Sequence, residues 1–194
     1  MVKDRDFIGN KKQTLQKLND ARAQGLVDED IIPILDIINS KDEYYTSSSC
    51  YGRIVLLEIP KIGDKKNAKW LGKWHRKIIL DEILDSVKNS NKGQIWILAQ
   101  SPILHIFSKD IESADKLVKS AVSCGFKNSG FKSVKGNIVV EITSTERLDS
   151  PVGKDGKMFC NTEHLTLLVK IANEIIDKSS VKLDKFENFL REDL

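Results

Sequence analysis

Tyr44-Tyr45-Thr46-Ser47-Ser48-Ser49-Cys50-Tyr51-Gly52-Arg53 runs without a break into Ile54-Val55-Leu56-Leu57-Glu58-Ile59. Hydroxyl residues, a thiol, a glycine and an arginine thus stand directly before an apolar run of strand length. Small side chains let a ligand approach the backbone. Glycine opens a turn closed to other residues, and arginine offers a planar fork of donors to a carboxylate or phosphate. The same residues also suit a plain polar β-turn, because Ser and Gly are common turn residues. Either way, strands are predicted at about 44–48 and 53–59, flanking a serine-rich bend.

Upstream, Phe7, Leu15, Leu18 and Ala21 share one face of a helix predicted over 7–24, with Gly25 as its C-terminal cap. Ile31, Ile34, Leu35 and Ile38 follow the i, i+3, i+4, i+7 spacing of a second helix, capped by Asp28 or Asp30. Pro33 requires that helix to begin late.

Downstream, Ile79, Ile83, Leu84 and Val87 predict a helix, while Gln94–Ala99 and Ile103–Phe107 read as strands hinged at Ser101-Pro102. A helix over 111–124 capped by Ser108 or Asp110, a strand over 137–143 and a Gly153-Lys154-Asp155-Gly156 hairpin connection follow. Asn161 or Thr162 caps a long helix, and a separate short helix is expected over 181–190. Short turns between strands favour antiparallel neighbours. The expected fold is α+β: a single domain over 1–194, with helices packed on a mixed β-sheet. No strand–GxGxxG–helix unit occurs, so a Rossmann-type fold has no sequence support.

The 194 residues are 40% hydrophobic and 30% charged, the balance of a soluble globular chain. No apolar run approaches the roughly 20 residues of a membrane span, and Met1-Val2-Lys3-Asp4-Arg5-Asp6 is too polar for a signal peptide. Cys50, Cys124 and Cys160 form no C-x-x-C pair, which argues against a disulfide framework and a metal site and makes the cytoplasm the expected compartment. The net charge of +3 permits nucleic-acid contact without demanding it. The cations cluster, however: Lys65, Lys66, Lys69, Lys73 and Arg76 surround Trp70 and Trp74. Such a cluster is either a solvated lysine-rich loop or an RNA surface that pairs phosphates and stacks bases.

Three histidines and two aspartates complete the candidates. His105 lies in an apolar strand, where a satisfied core histidine is the simpler reading. His75 sits in the basic region, and His164 at a helix start. Asp28 is most simply a cap, whereas Asp42 has no easy structural task. Cys50 near Arg53 also admits a cysteine nucleophile, although the neighbouring serines suggest a hydrogen-bonding cradle.

Val27-Asp28-Glu29, the whole of Lys41 to Arg53, Trp74-His75-Arg76, Pro102-Ile103-Leu104-His105-Ile106, Gly125-Phe126-Lys127-Asn128-Ser129-Gly130 and Ala172-Asn173 together resemble the family of the third wybutosine-synthesising protein. The resemblance covers nearly the whole chain. It implies an S-adenosylmethionine-dependent methyltransferase with a fold unlike the Rossmann type. The implied reaction methylates N4 of the tricyclic wyosine-type nucleoside beside the anticodon of phenylalanine tRNA. By carry-over, Thr46, Ser48, Ser49, Cys50, Gly52 and Arg53 line the cofactor pocket. Asp42 or Asp28 supplies a carboxylate and His75 or His105 a proton acceptor, and the Lys/Trp cluster holds the tRNA. The competing readings are a non-catalytic tRNA-binding module, a cysteine-dependent hydrolase, and a paralogue acting on a different tricyclic nucleoside.

Overall fold

The computed structural model describes residues 4–64 and 66–193. The elements are α1 (Asp4–Ala23), a 3-10 turn (Glu29–Ile31), α2 (Ile32–Ser40), β1 (Tyr44–Cys50), β2 (Arg53–Ile59), β3 (Lys69–Trp74) and α3 (Leu80–Val87). They continue with β4 (Gln94–Gln100), β5 (Ile103–Ser108), α4 (Ile111–Ser123), β6 (Gly130–Ser133), β7 (Ile138–Thr143), β8 (Arg147–Lys154), β9 (Lys157–Met158) and α5 (Thr162–Asp193). The α+β class is as expected. The single mixed sheet is not: the strands form two sheets, and every described pair is antiparallel.

The contacts gather the chain into two units. The first holds the chain up to Tyr51, Pro102–Thr145 and the chain from Ser179; the second holds Gly52–Ser101 and Glu146–Lys178. In the first unit the sheet order is β1-β5-β7-β6. Leu104, Ile106, Val140 and Ile142 fill one face and pack with Ile34, Leu35 and Ile38 of α2, Leu117 and Ala121 of α4, and Leu183, Phe186 and Leu190 of α5. The opposite face carries Ile103, His105, Phe107, Val139, Glu141 and Thr143, all half-buried. In the second unit the order is β3-β2-β4-β8-β9. Ile54, Leu56, Ile95, Ile97 and Val152 pack there with Ile83 and Val87 of α3 and with Leu165, Leu168, Ala172 and Ile176 of α5.

The bend between β1 and β2 is shorter than expected. Ser49 and Cys50 are strand, and only Tyr51-Gly52 connects the two strands, with Gly52 at φ 110°. β1 and β2 nevertheless do not pair with each other. β1 joins β5 in the first sheet and β2 joins β3 and β4 in the second. The Ser101-Pro102 hinge behaves likewise, sending β4 and β5 to different sheets. A short connection makes a hairpin only when the strands it joins pair with each other, and neither β1 with β2 nor β4 with β5 does so among the described pairs.

Other expectations hold. Gly25 (φ 66°) closes α1, with the Leu26 N–H donating to the Ala21 carbonyl at 3.0 Å. Pro33 lies in the first turn of α2, where its missing N–H costs no helical bond. Asp110 caps α4 through the Ser113 N–H at 2.7 Å, and Asp155 (φ 51°) with Gly156 (φ 74°) makes the β8–β9 turn.

Three expectations fail. Neither Asp28 nor Asp30 caps α2, whose N-cap is Ile31 with no side-chain hydrogen bond. Ile79 and Leu84 are exposed rather than on the buried face of α3, because the helix starts at Leu80 and turns only Ile83 and Val87 fully inward. The two C-terminal helices are one, α5: residues 177–182 contain neither Gly nor Pro, so nothing breaks the hydrogen-bond ladder.

Phe186, on α5, is fully buried with its ring 5.8 Å from Phe126 at an edge-on 68°. Phe186→Ala is expected to lower stability by roughly 3–5 kcal/mol in urea denaturation followed by circular dichroism. A loss below about 1 kcal/mol would mean that this half of α5 does not seal the core of the first unit.

Candidate active site

Strand β1 ends in the motif, and an irregularity in its pairing decides where the motif side chains go. Tyr45 opposes Phe107 and Thr46 opposes Ile106, but Ser48 opposes His105, leaving Ser47 as an extra, bulged residue. Side chains alternate along a strand, so one extra residue reverses the alternation. Thr46 therefore shares the helix-covered face with Ile106, while Ser48 shares the half-open face with His105.

The hydrogen bonds follow this division. Thr46 is 4% exposed. Asn39 of α2 grips it twice, Nδ2 donating to Thr46 Oγ1 at 2.9 Å and Oδ1 accepting from the Thr46 N–H at 2.8 Å. Its hydroxyl thus locks β1 to α2. Ser48 Oγ, by contrast, is exposed and lies 2.7 Å from His105 Nδ1. His105 Nε2 lies 2.6 Å from Glu141 Oε2 on β7, and Lys132 Nζ of β6 lies 3.0 Å from the same oxygen. A polar row therefore crosses all four strands of the first sheet. His105 is satisfied, as expected, but it lies on the half-open face with its side chain 27% exposed, outside the core.

At the strand end, Cys50 and Asp28 come together, with thiol sulfur and carboxylate oxygen within 4.8 Å. Asp28 does not cap the helical turn that follows it; its Oδ2 accepts the Tyr51 N–H at 2.9 Å. The Tyr51 hydroxyl bonds Ser180 Oγ at 3.0 Å, and burial pushes its pKa up. Asp42 is exposed in the turn before β1. Cys50 stands at the far end of the seven-residue β1, about 20 Å of strand away. The fold therefore brings Asp28, and not Asp42, to the thiol.

The remaining candidates lie in the second unit. Arg53 opens β2; its Nε donates to Gln100 Oε1 at 2.7 Å and its guanidinium lies 5.1 Å from the Trp70 ring centroid. It forms no ion pair among the described residues. His75 is half-buried just beyond β3. Within the basic cluster, Lys66, Lys69 and Lys73 are exposed and Trp70 is 52% exposed. Trp74 instead packs against the core, its ring covering Gly72 so closely that a Cβ there would meet it at 2.1 Å. Arg76 is bound by both oxygens of Glu82, at 2.6 and 3.1 Å. Lys65 lies outside the described residues. Asn173 clamps both backbone groups of Ile78, at 2.8 and 2.9 Å, beside a cleft of about 480 Å³ that holds none of the candidate catalytic or donor-binding residues.

Sequence reasoning missed Glu141 and Lys132. A lone carboxylate inside Ile138-Val139-Val140-Glu141-Ile142-Thr143 was the available signal, but its partners depend on strand order.

Residues 9–192 match the family described as Methyltransferase TYW3. A Pyrococcus horikoshii protein named tRNA(Phe) 7-((3-amino-3-carboxypropyl)-4-demethylwyosine(37)-N(4))-methyltransferase 1 is 50% identical, with 94% of each chain covered. A Thermococcus sibiricus protein of the same name without the final number is 46% identical, over 95% of this chain and 94% of its own. The solved structure of the PH1069 protein from Pyrococcus horikoshii superposes with a TM-score of 0.94 at 48% identity, covering 98% of both chains.

His105 first, and Lys132 second, hold the Glu141 carboxyl below its ordinary value of 4.5. A carboxylate depressed in the folded state stabilises fully above its unfolded value, and the contribution disappears as pH falls through the folded one. The stability difference between wild type and Glu141→Gln is therefore expected to be largest near neutrality and to close below about pH 4. Denaturant titrations from pH 7 to pH 3 measure it; a pH-independent difference contradicts the ion-pair assignment.

Proposed function

The chain belongs to the Methyltransferase TYW3 family, and from that premise we propose that it methylates N4 of the 4-demethylwyosine-type nucleoside of tRNA(Phe), with S-adenosylmethionine as donor. The single domain that does this is the whole of 1–194, acting in the cytoplasm. The observation that best supports the reading is the end of β1. There the Ser47 bulge sets the exposed Ser48 hydroxyl on the His105 ring while Asp28 meets the Cys50 thiol.

The donor is a sulfonium that supplies an electrophilic methyl group, and it carries a carboxylate, an amino group and an adenine. The chain's residues suit those groups. Arg53 is a cation with no carboxylate partner among the described residues, suited to the donor's carboxylate. Asp28 is the carboxylate suited to the amino group. Ser48 and Cys50 offer small polar side chains, Ser49, opposite the buried Leu104, turns to the helix-covered face as Thr46 does, and Gly52, without a Cβ, leaves the backbone open. Thr46 acts from behind the strand by fixing it to α2, and Asp42 has no part.

Methyl transfer needs the nucleophilic nitrogen aligned with the methyl carbon and sulfur. Such positioning accounts for roughly 7–11 kcal/mol of barrier lowering. A base adjacent to the anticodon leaves the stack to reach a protein site. Lys66, Lys69, Lys73 and the half-exposed Trp70 are the residues suited to hold the anticodon stem-loop. Arg76, already engaged by Glu82, and the packed Trp74 contribute to the scaffold. His105 accepts the proton shed by the alkylated nitrogen, with His75 as the alternative acceptor.

Incubation with tRNA(Phe) carrying the demethylated nucleoside and S-adenosylmethionine, followed by nucleoside mass spectrometry, is expected to show the gain of one methyl group. In calorimetry, Arg53→Ala is expected to weaken donor binding by about 1.5–3 kcal/mol, the worth of a hydrogen bond to a charged group. Saturable tRNA binding with no mass gain would instead support a non-catalytic RNA-binding module.

A further inference from the structure

We propose that Glu141 is a positioning residue that fixes the tautomer of His105, so that Ser48 and His105 together carry away the proton released in methyl transfer. The proposal rests on the methyltransferase reading above and adds a residue to it.

The argument starts from what each atom can do. An ionised carboxylate only accepts hydrogen bonds. Glu141 Oε2 lies 2.6 Å from His105 Nε2, so the proton of the neutral ring sits on Nε2. Nδ1 then holds a lone pair, and the Ser48 hydroxyl 2.7 Å away donates to it. The Ser48 oxygen, exposed at the surface of the row, keeps its own lone pairs for an incoming N–H. Lys132, 3.0 Å from Glu141 Oε2, supports the ionised carboxylate from the next strand. Among the described residues of the row, the charged groups are Glu141 from β7 and Lys132 from β6, and Ser48 from β1 is neutral.

The step balances. The nitrogen–methyl bond forms as the sulfur–methyl bond breaks, and the nitrogen, now more acidic, gives its proton to Ser48 Oγ. The hydroxyl proton of Ser48 passes to His105 Nδ1. The resulting imidazolium donates from both nitrogens, to Ser48 and to Glu141, and the positive charge lies beside a carboxylate until water takes the proton. With the opposite tautomer, Nδ1 would carry hydrogen and could accept nothing from Ser48. The same dependence governs serine–histidine–carboxylate triads, although there the acid bonds the other ring nitrogen.

The test combines two readouts on the full-length protein. Imidazole nitrogen NMR of the free protein, followed upward in pH until the ring is neutral, with three histidines to assign, is expected to show neutral His105 as the Nε2–H tautomer. Glu141→Gln should turn it into a mixture. In the methylation assay, Glu141→Gln is expected to lower kcat roughly 10- to 100-fold, leaving KM for tRNA and the calorimetric donor affinity unchanged. Glu141→Asp, which keeps the charge, should recover part of the rate. Lys132→Met, at an exposed position, serves if Glu141→Gln fails to fold, and a fall in kcat without a change in KM is again expected. An Nδ1–H tautomer in the wild type, or wild-type kcat in Glu141→Gln, overturns the proposal alone. A wild-type protein that transfers no methyl group overturns the function as well.

Discussion

A single extra residue in one strand sets the chemistry of the first unit. With an unbroken alternation, Thr46 and Ser48 would share a face. The bulge at Ser47 divides them, burying one hydroxyl against Asn39 and presenting the other to His105. It also returns Tyr45 to the half-open face, where its ring stacks on Phe107 at 4.7 Å and meets Phe7 of α1 at 5.1 Å. The face thus carries an aromatic cluster at one end of β1, a polar row in the middle and the thiol at the other end. Bulges recur where a strand must re-aim a side chain, and this one does so within the motif itself.

The two ends of β1 are pinned by different means. Asn39 satisfies both the backbone and the hydroxyl of Thr46, and Asp28 accepts the Tyr51 N–H where the strand stops. Both anchors come from the α2 region, whose own burial depends on the isoleucine stripe. Between them the strand is held rigidly enough for Ser48 and His105 to keep a short hydrogen bond on a partly exposed surface. Preorganisation of this kind is what a positioning-dominated reaction requires.

Much of this was readable without coordinates. The isoleucine stripe of α2, the glycine that closes α1, the aspartate cap of α4 and the Asp155-Gly156 turn all follow from local rules in which a residue acts on neighbours within one turn. The motif at 46–53 was likewise visible as a cluster of small polar residues before an apolar strand. Three of the errors share one cause. Whether 44–59 is a hairpin, whether the strands make one sheet or two, and whether Trp74 is wet or packed depend on contacts distant in sequence. Trp74 reads as an RNA platform until its ring is found lying on Gly72. Arg76 reads as a free cation until Glu82 closes on it.

The sequence by itself determined most element types, the ends of α1 and α4 and the reactive cluster, because periodicity and turn chemistry act over a few residues. Only the tertiary structure decided that Ser48 faces His105, that Glu141 and Lys132 complete the row, and that Asp28 rather than Asp42 reaches the thiol. Strand order and the register shift at Ser47 made those choices, since hydrogen-bonded pairing joins residues separated by dozens of positions and one bulged residue changes which face a side chain occupies.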